Sequence, residues 1–258
     1  MTKLAAIALN TFRESARDRV FYNLVLFALL LVIASLVMGR MAVGQEAKIV
    51  VDVGLSAMTL FGLLIAIFLG VGLVAKEIEK RTIVNLLSKP IGRGTFLIGK
   101  YAGLSLTLLA DAAVMTLAIA AALAWAEGGF AARQLHIWPA AWLIFLQLAI
   151  VTAIALFFST FSSPALSALF ALLLFLIGRW SPDLKLFAET AASPIARGVC
   201  RALYSLLPNL AHFNRIDEVA HGGAIPAATL AWSTLYAAGY LAALLGGAAV
   251  VFERRNFK

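Results

Sequence analysis

The stretch of sequence that decides the fold is Lys76–Lys100, KEIEKRTIVNLLSKPIGRGTFLIGK. It is a charged segment, interrupted by a proline, between two apolar runs that are each long enough to cross a bilayer. Six of its residues are Lys or Arg, against two Glu residues. Because positively charged loops between spans stay on the cytoplasmic side of a membrane, this segment is predicted to be cytoplasmic.

The composition on either side of this segment is that of a membrane protein. Hydrophobic residues make up 62% of the 258-residue chain and charged residues only 13%, whereas a soluble domain carries about 25% charged residues. The apolar residues form long blocks and do not alternate as they do in the strands of an outer-membrane barrel. We therefore predict an all-α, polytopic membrane protein, with residues 1–258 in a single transmembrane domain.

Six apolar windows of roughly 20 residues predict six transmembrane helices, which places both termini on one side. The segments on that side hold thirteen Lys or Arg residues against five acidic residues, and the opposite loops hold eight against seven. The positive side is predicted to be cytoplasmic, so the net charge of +8 reports topology and predicts no nucleic-acid partner. The windows are residues 20–38, 53–75, 101–125, 138–158, 165–180 and 226–252.

Two segments outside these windows have the periodicity of amphipathic helices. Residues 3–18 have an apolar face opposite a charged face, which predicts a helix lying in the headgroup layer of the inner leaflet. In the outer segment, residues 181–225, the pair Ser193 and Pro194 predicts the start of a second amphipathic helix before the last span. The apolar face of the first helix comprises Leu4, Ile7, Ala8, Phe12 and Ser15.

The charged hairpin of residues 76–100 divides into a short helix and a turn. Glu77 can pair with Lys80 and Arg81 at i+3 and i+4, which favours a helix. A proline ends this helix, and Thr95 is the candidate N-cap of the helix that continues as the third span. The hairpin is therefore predicted to project from the inner face of the membrane and to dock on a partner protein.

Two patterns resemble ligand sites and are rejected. Residues 94–100 match the start of the phosphate-binding loop GxxxxGK, but Tyr101 stands where the Mg²⁺-binding Ser or Thr belongs, and no strand precedes it. His212, Asp217 and His221 do not have the spacing of a compact metal-ligand motif. We therefore predict no cofactor, nucleotide or metal site on this chain.

Asp111 is the acidic residue that lies well inside a predicted span. A central aspartate opposes membrane insertion by about 2.5–3.5 kcal/mol, so its side chain is expected to face the helix bundle or a cavity. Two interpretations stay open: Asp111 lines a substrate path, or it makes a hydrogen bond between helices.

Several segments together resemble one protein family. Within Lys76–Tyr101 the order is an acidic helix, then Thr, Leu-Leu, Pro, Arg and Gly-Lys. This order resembles the signature of type-2 ABC transporter permeases, although Arg81 stands where the family commonly has Gly before the Thr matched by Thr82. Three further segments are similar to a subgroup associated with multicopper-enzyme maturation and gliding motility: NTFRESARDRVFYNL (Asn10–Leu24), LYSLLPNLAHFN (Leu203–Asn214) and VFERRNFK (Val251–Lys258).

The resemblance implies a transmembrane permease subunit, here expected to serve an exporter. Such a subunit dimerises with a second permease copy or a paralogue and binds two cytoplasmic ABC ATPase subunits. ATP and Mg²⁺ would be held by those partners, so the chain itself is not expected to be an enzyme. The resemblance also implies that one short helix couples the permease to the ATPase, through Glu77, Glu79, Lys80, Arg81 and Thr82.

Two other classes of protein were weighed against this interpretation. A stand-alone secondary transporter is the main alternative, and it would show internal repeats, broken spans and several charges inside the membrane. The chain has one intramembrane aspartate and no clear repeat. A membrane-bound enzyme would need clustered His, Asp or Glu residues at a membrane face, and the sequence shows no such cluster.

Overall fold

A computed structural model of the chain describes residues 3–42, 44–79, 92–130, 133–190 and 193–254. Within these ranges the backbone forms α-helices and one short 3-10 helix, with no strand, which confirms the predicted all-α fold. The elements are α1 (Lys3–Ser15), α2 (Arg19–Met41), α3 (Glu46–Glu79), α4 (Arg93–Glu127), α5 (Arg133–Ser159), α6 (Pro164–Arg179), α7 (Ser181–Thr190), α8 (Pro194–Leu206), η1 (Leu210–Phe213), α9 (Ile216–Ala220) and α10 (Ala227–Arg254).

Five of the described helices are long and apolar enough to cross a membrane, namely α2, α3, α4, α5 and α10. The predicted fifth span, residues 165–180, corresponds to the 16-residue helix α6, which meets α7 at a bend of 65°. The chain breaks there because Pro182 in the first turn of α7 cannot continue the hydrogen bonding of α6. Counted as one broken span, α6 and α7 make the sixth crossing of a multi-pass protein.

Helices α3 and α4 are longer than a bilayer requires. They contain 34 and 35 residues, or about 50 Å at 1.5 Å per residue, whereas a hydrocarbon core is about 30 Å thick. The charged residues 76–79 continue α3 beyond its apolar stretch, and α4 begins at Arg93, eight residues before the predicted span. Both helices therefore extend into the charged hairpin, whose residues 80–91 lie outside the described part of the chain.

The start of α4 differs from its predicted cap. Gly92 is the N-cap, and its carbonyl oxygen accepts the first helical hydrogen bond from Phe96 N at 3.1 Å. Thr95 therefore lies in the first turn and is not the cap. The backbone at Gly92 is extended, as is typical of an N-cap residue, so the helix starts at Arg93 and not at the predicted position.

The core of the bundle is built around α5. In its apolar window 78% of the residues are buried, against 17% in both α2 and α10. Glycines on α3 permit the closest contacts with α5: Gly62 lies against Leu148, and Gly70 lies against Ala155 and Thr152. A side chain at either glycine would collide with α5, so the two helices pack with small residues between them.

The outer segment contains the predicted amphipathic helix and a second feature that was not predicted. Helix α8 begins after Ser193 with Pro194 in its first turn, as expected. Its apolar face is uncovered, and Ile195 is 80% exposed. In contrast, η1 and α9 pack into the end of the bundle, where their apolar residues are buried at a spacing of three: Leu210, Phe213, Ile216 and Val219.

Candidate coupling and transport sites

The predicted coupling residues fall at the end of α3 and beyond it. Glu77 and Glu79 belong to the last turn of α3. Lys80, Arg81 and Thr82 lie outside the residues that the structure describes. Their role in coupling therefore stays a prediction, and the described geometry concerns the two helical stems that carry the hairpin.

Helix α4, which follows the charged hairpin, packs very closely against the N-terminal helix α1. A Cβ added at Gly103 would lie 2.5 Å from the carbonyl oxygen of Ala8 and 2.6 Å from Cβ of Thr11. One turn earlier, a Cβ added at Gly99 would lie 2.9 Å from Cγ2 of Ile7. The spacing of four puts both glycines on one face of α4, which lets two helix backbones approach closely.

An ion pair joins the same two helices. Lys100 Nζ lies 3.6 Å from Oε2 of Glu14, and the Lys100 side chain is only 7% exposed. The ammonium group also lies over the ring of Phe96, 5.6 Å from its centroid. Since an uncompensated buried charge is strongly destabilising, these contacts hold Lys100 against α1. The lysine of the GxxxxGK pattern thus makes a protein contact.

Sequence reasoning missed this contact, although the sequence carries a signal for it. The predicted apolar face of α1 did not include Thr11, which is one of the two buried residues of the helix. The pattern Gly99-x-x-x-Gly103 is a known signature of close helix packing. Read together with the amphipathic segment before the first span, it would have indicated that α1 packs on α4.

Asp111 and Gln147 have buried polar atoms that find no partner among the described residues. Asp111 Oδ1 accepts no hydrogen bond from this part of the chain, and neither polar atom of the Gln147 amide is paired within it. Both residues are buried, Gln147 completely. Buried threonines on α4 behave differently, because Thr107 and Thr116 each donate to a carbonyl oxygen of their own helix.

Packing of α3 against α4 and α5 places these two residues at a similar depth. Gly54 of α3 lies against Ile119 of α4, and Gly62 of α3 lies against Leu148 of α5. Helices α3 and α4 are successive spans and run in opposite directions, so the eight residues from Gly54 to Gly62 correspond to the eight residues from Ile119 back to Asp111. We infer that Gln147 lies within about one helical turn of the level of Asp111.

The three residues of the rejected metal motif do not form one cluster. His221 Nδ1 lies 3.2 Å from Oδ1 of Asp217 at the end of α9. The ring of His212 instead packs edge-on against Tyr236, with centroids 6.2 Å apart. Within the described ranges, no three His, Cys, Asp or Glu residues come close enough together to hold a metal ion.

The comparison with known families agrees with this architecture of long spans and a charged hairpin. One family model, described as ABC-2 family transporter protein, matches residues 5–257. The chain belongs to the ABC-2 transporter family. No curated protein matches this ABC-2 chain at a significant level.

Membership assigns the chain to the permeases, the membrane-embedded transport subunits of ABC transporters. It also implies that the ABC-2 protein works in a bilayer with an ATPase subunit. This confirms the family that the sequence resembles and disfavours the stand-alone secondary transporter. The subgroup associated with multicopper-enzyme maturation and gliding motility stays a prediction.

Proposed function

We propose that this permease is the membrane subunit of an exporter in a bacterial inner membrane, with both termini in the cytoplasm. The observation that carries the proposal is the helical stem formed by α3 and α4, which extends beyond the apolar stretch at the end where α1 packs. That end also carries the surplus of Lys and Arg, which is typical of a cytoplasmic face.

In this proposal the hairpin of residues 76–100 transmits the work of the ATPase. Helix α4 is continuous from Arg93 to Glu127 and carries Asp111 in its middle. A contact made at the hairpin therefore acts on a single helix that reaches the membrane interior. Because α1 is packed on the same helix, it would move with α4 when ATP binding closes the partner subunits.

The proposed partners are two cytoplasmic ABC ATPase subunits and a second permease copy or paralogue. Only 17% of the apolar window is buried in α2 and in α10, although both are candidate spans. Large side chains such as Phe27 and Ile33 of α2 and Trp232 of α10 are exposed. These faces are available to lipid and to a second permease, which would complete the transporter.

Asp111 and Gln147 are the proposed polar positions of the transport path. Groups without partners at mid-membrane are costly, and inside a membrane they commonly mark a substrate or ion pathway. A conformational change that separates α4 from α5 would open these groups to a substrate. In the closed bundle described here they face protein.

The decisive experiment is purification of the permease from its native membrane with identification of any co-purifying ABC ATPase subunits, followed by ATPase assays in proteoliposomes. We expect a stable complex whose ATP hydrolysis depends on the permease. The double substitution Glu77→Gln with Arg81→Ala should lower permease-dependent hydrolysis and transport together. Glu189→Gln, a carboxylate-to-amide change in α7 outside the hairpin, is the matched control and should retain both activities.

Two results would contradict the proposal. One is the recovery of the permease without any ATPase under conditions that preserve membrane complexes. The other is intact ATP-driven transport by the double variant. Topology is tested separately, since cytoplasmic reporters fused after residue 258 should be active and the same reporters inserted between α7 and α8 should be inactive.

A further inference from the structure

A cavity of about 270 Å³ lies where α1, α2, α3 and α4 meet. Its polar lining comes from α1, the link to α2 and the start of α4, and includes Glu14, Asp18 and Lys100. Its apolar lining comes from the membrane-spanning parts of α2 and α3, including Leu24 and Phe68. Asp18 directly precedes the first span, so the polar side lies at the membrane surface and the apolar side within the hydrocarbon layer.

Thr11 gives the cavity an unused hydrogen-bonding group. Its side chain is 2% exposed and lines the cavity, yet its Oγ1 finds no hydrogen-bond partner among the residues that the structure describes. Thr107, Thr116 and Thr152, which are buried elsewhere, satisfy their hydroxyls by donating to carbonyl oxygens in their own helices. A buried hydroxyl that is left unpaired is unfavourable, so Thr11 is suited to bonding a molecule within the cavity.

The charges around the cavity are of both signs. Lys100 is buried and lies 3.6 Å from Glu14, while Oδ1 of Asp18 accepts from Val20 N at 2.9 Å. A purely anionic headgroup would meet the two carboxylates as well as the lysine. A zwitterion matches better, because its phosphate can lie beside Lys100 and Thr11 and its ammonium beside Glu14 and Asp18.

We propose that the cavity binds the headgroup of an amine-bearing zwitterionic phospholipid of the phosphatidylethanolamine class. Its volume is close to the lower end of small-molecule pockets, about 300 Å³, which suits a headgroup and not a whole lipid. The cavity is partly open, so the acyl chains extend along Leu24 and Phe68 into the bilayer. A primary ammonium supplies three N–H donors to the carboxylates, whereas a choline headgroup supplies none.

The bound lipid would join α1 to α2 and α3. Among the described residues, α1 packs mainly against α4. The lipid comes from the leaflet on the α1 side. The assignment of this leaflet as the inner one rests on the proposed topology. The binding site itself does not depend on that topology. Binding is measured on the purified permease alone, so its failure is distinguishable from a failure to find an ATPase.

The test is native mass spectrometry of the full-length, detergent-purified chain with added palmitoyl-oleoyl lipids. We expect one phosphatidylethanolamine to be retained, with at least about tenfold weaker apparent affinity for phosphatidylglycerol and an intermediate affinity for phosphatidylcholine. Asp18→Asn removes a charge but keeps an N-capping side chain. The double variant Asp18→Asn with Glu14→Gln should lose the preference for phosphatidylethanolamine over phosphatidylglycerol. The control variant Asp183→Asn, at an exposed position in α7, should keep this preference.

Two variants protect the test against a loss of folding. Thr11→Val removes only a hydroxyl without a protein partner, so it should fold normally and still weaken phosphatidylethanolamine binding. Leu24→Trp fills the apolar part of the cavity and should block retention with all charges in place. Equal affinity for the ethanolamine and glycerol lipids would overturn the proposal, as would undiminished retention by Leu24→Trp. Displacement of the lipid by an equal concentration of inorganic phosphate would also overturn it, in favour of a soluble phosphate ligand.

Discussion

Gly103 of α4 lies against Ala8 of α1 so closely that a Cβ at Gly103 would stand 2.5 Å from the Ala8 carbonyl oxygen. That distance is shorter than any packing contact, and the obstructing atom belongs to a helix backbone that cannot rotate away. The contact makes α1 part of the bundle. A helix that the sequence predicts to lie in the headgroup layer is thereby attached to the stem of the charged hairpin.

Gly103→Val should displace α1 from α4. Because backbone and Cβ atoms obstruct the new side chain, we expect a loss of about 1–3 kcal/mol from overpacking. Limited proteolysis at the link after Ser15 should become faster, and the apparent Tm should fall. Gly198→Ala is the control: the structure shows no atom within 4 Å of that Cβ, so helix propensity should leave stability equal or slightly higher. Unchanged proteolysis of Gly103→Val would contradict the close contact.

The ion pair of Lys100 and Glu14 should respond asymmetrically to substitution. Glu14→Gln leaves a buried ammonium with one carboxylate fewer, whereas Lys100→Met leaves a carboxylate that is 46% exposed and can be hydrated. We therefore expect Glu14→Gln to lower the apparent Tm more than Lys100→Met. The double variant should recover part of the loss, with a coupling of roughly 1 kcal/mol, since one partner is solvated. Equal, additive losses in thermal melts would refute the pairing.

Asp111→Asn should separate transport from stability. The substitution removes the charged form that membrane insertion disfavours by about 2.5–3.5 kcal/mol and keeps a polar side chain of the same size. We expect an unchanged or higher Tm and reduced substrate-stimulated ATP hydrolysis. Thr116→Val on the same helix is the control, because that hydroxyl already donates to Ala112 O at 2.6 Å, and its loss should leave hydrolysis unchanged. Full activity of Asp111→Asn would favour the purely structural interpretation.

The packed part of the outer segment should be essential for folding. Phe213 is fully buried, and its removal would leave a cavity of the kind that costs about 3–5 kcal/mol in protein cores. Phe213→Ala should therefore lower the apparent Tm by several degrees or reduce the yield of monodisperse protein. Phe130→Ala is the control, since that ring is 90% exposed. Similar melting of the two variants would show that residues 210–220 do not stabilise the bundle.

Much of the fold was predictable because the membrane imposes a simple composition rule. Apolar windows identified α2, α3, α4, α5 and α10, and the Ser193-Pro194 pair identified the start of α8. Hydropathy could not show that α6 and α7 form a bent pair, since a bend depends on the backbone around Pro182 and not on the apolar content. The burial of η1 and α9 was missed for a different reason. Their apolar residues recur every three positions over only a short stretch, and this stretch lies within a polar segment.

For the candidate sites, the sequence alone determined three features: the family-like order of residues in Lys76–Tyr101, the surplus of Lys and Arg on one side of the membrane, and the position of Asp111 inside a span. Local composition and residue order carry this information. Tertiary structure decided that Thr11 and Lys100 line a shared cavity, that Gln147 lies near the depth of Asp111, and that α1 packs on α4. These relationships join residues far apart in the chain. They depend on how closely the helices can approach one another where glycines lie at their contact faces.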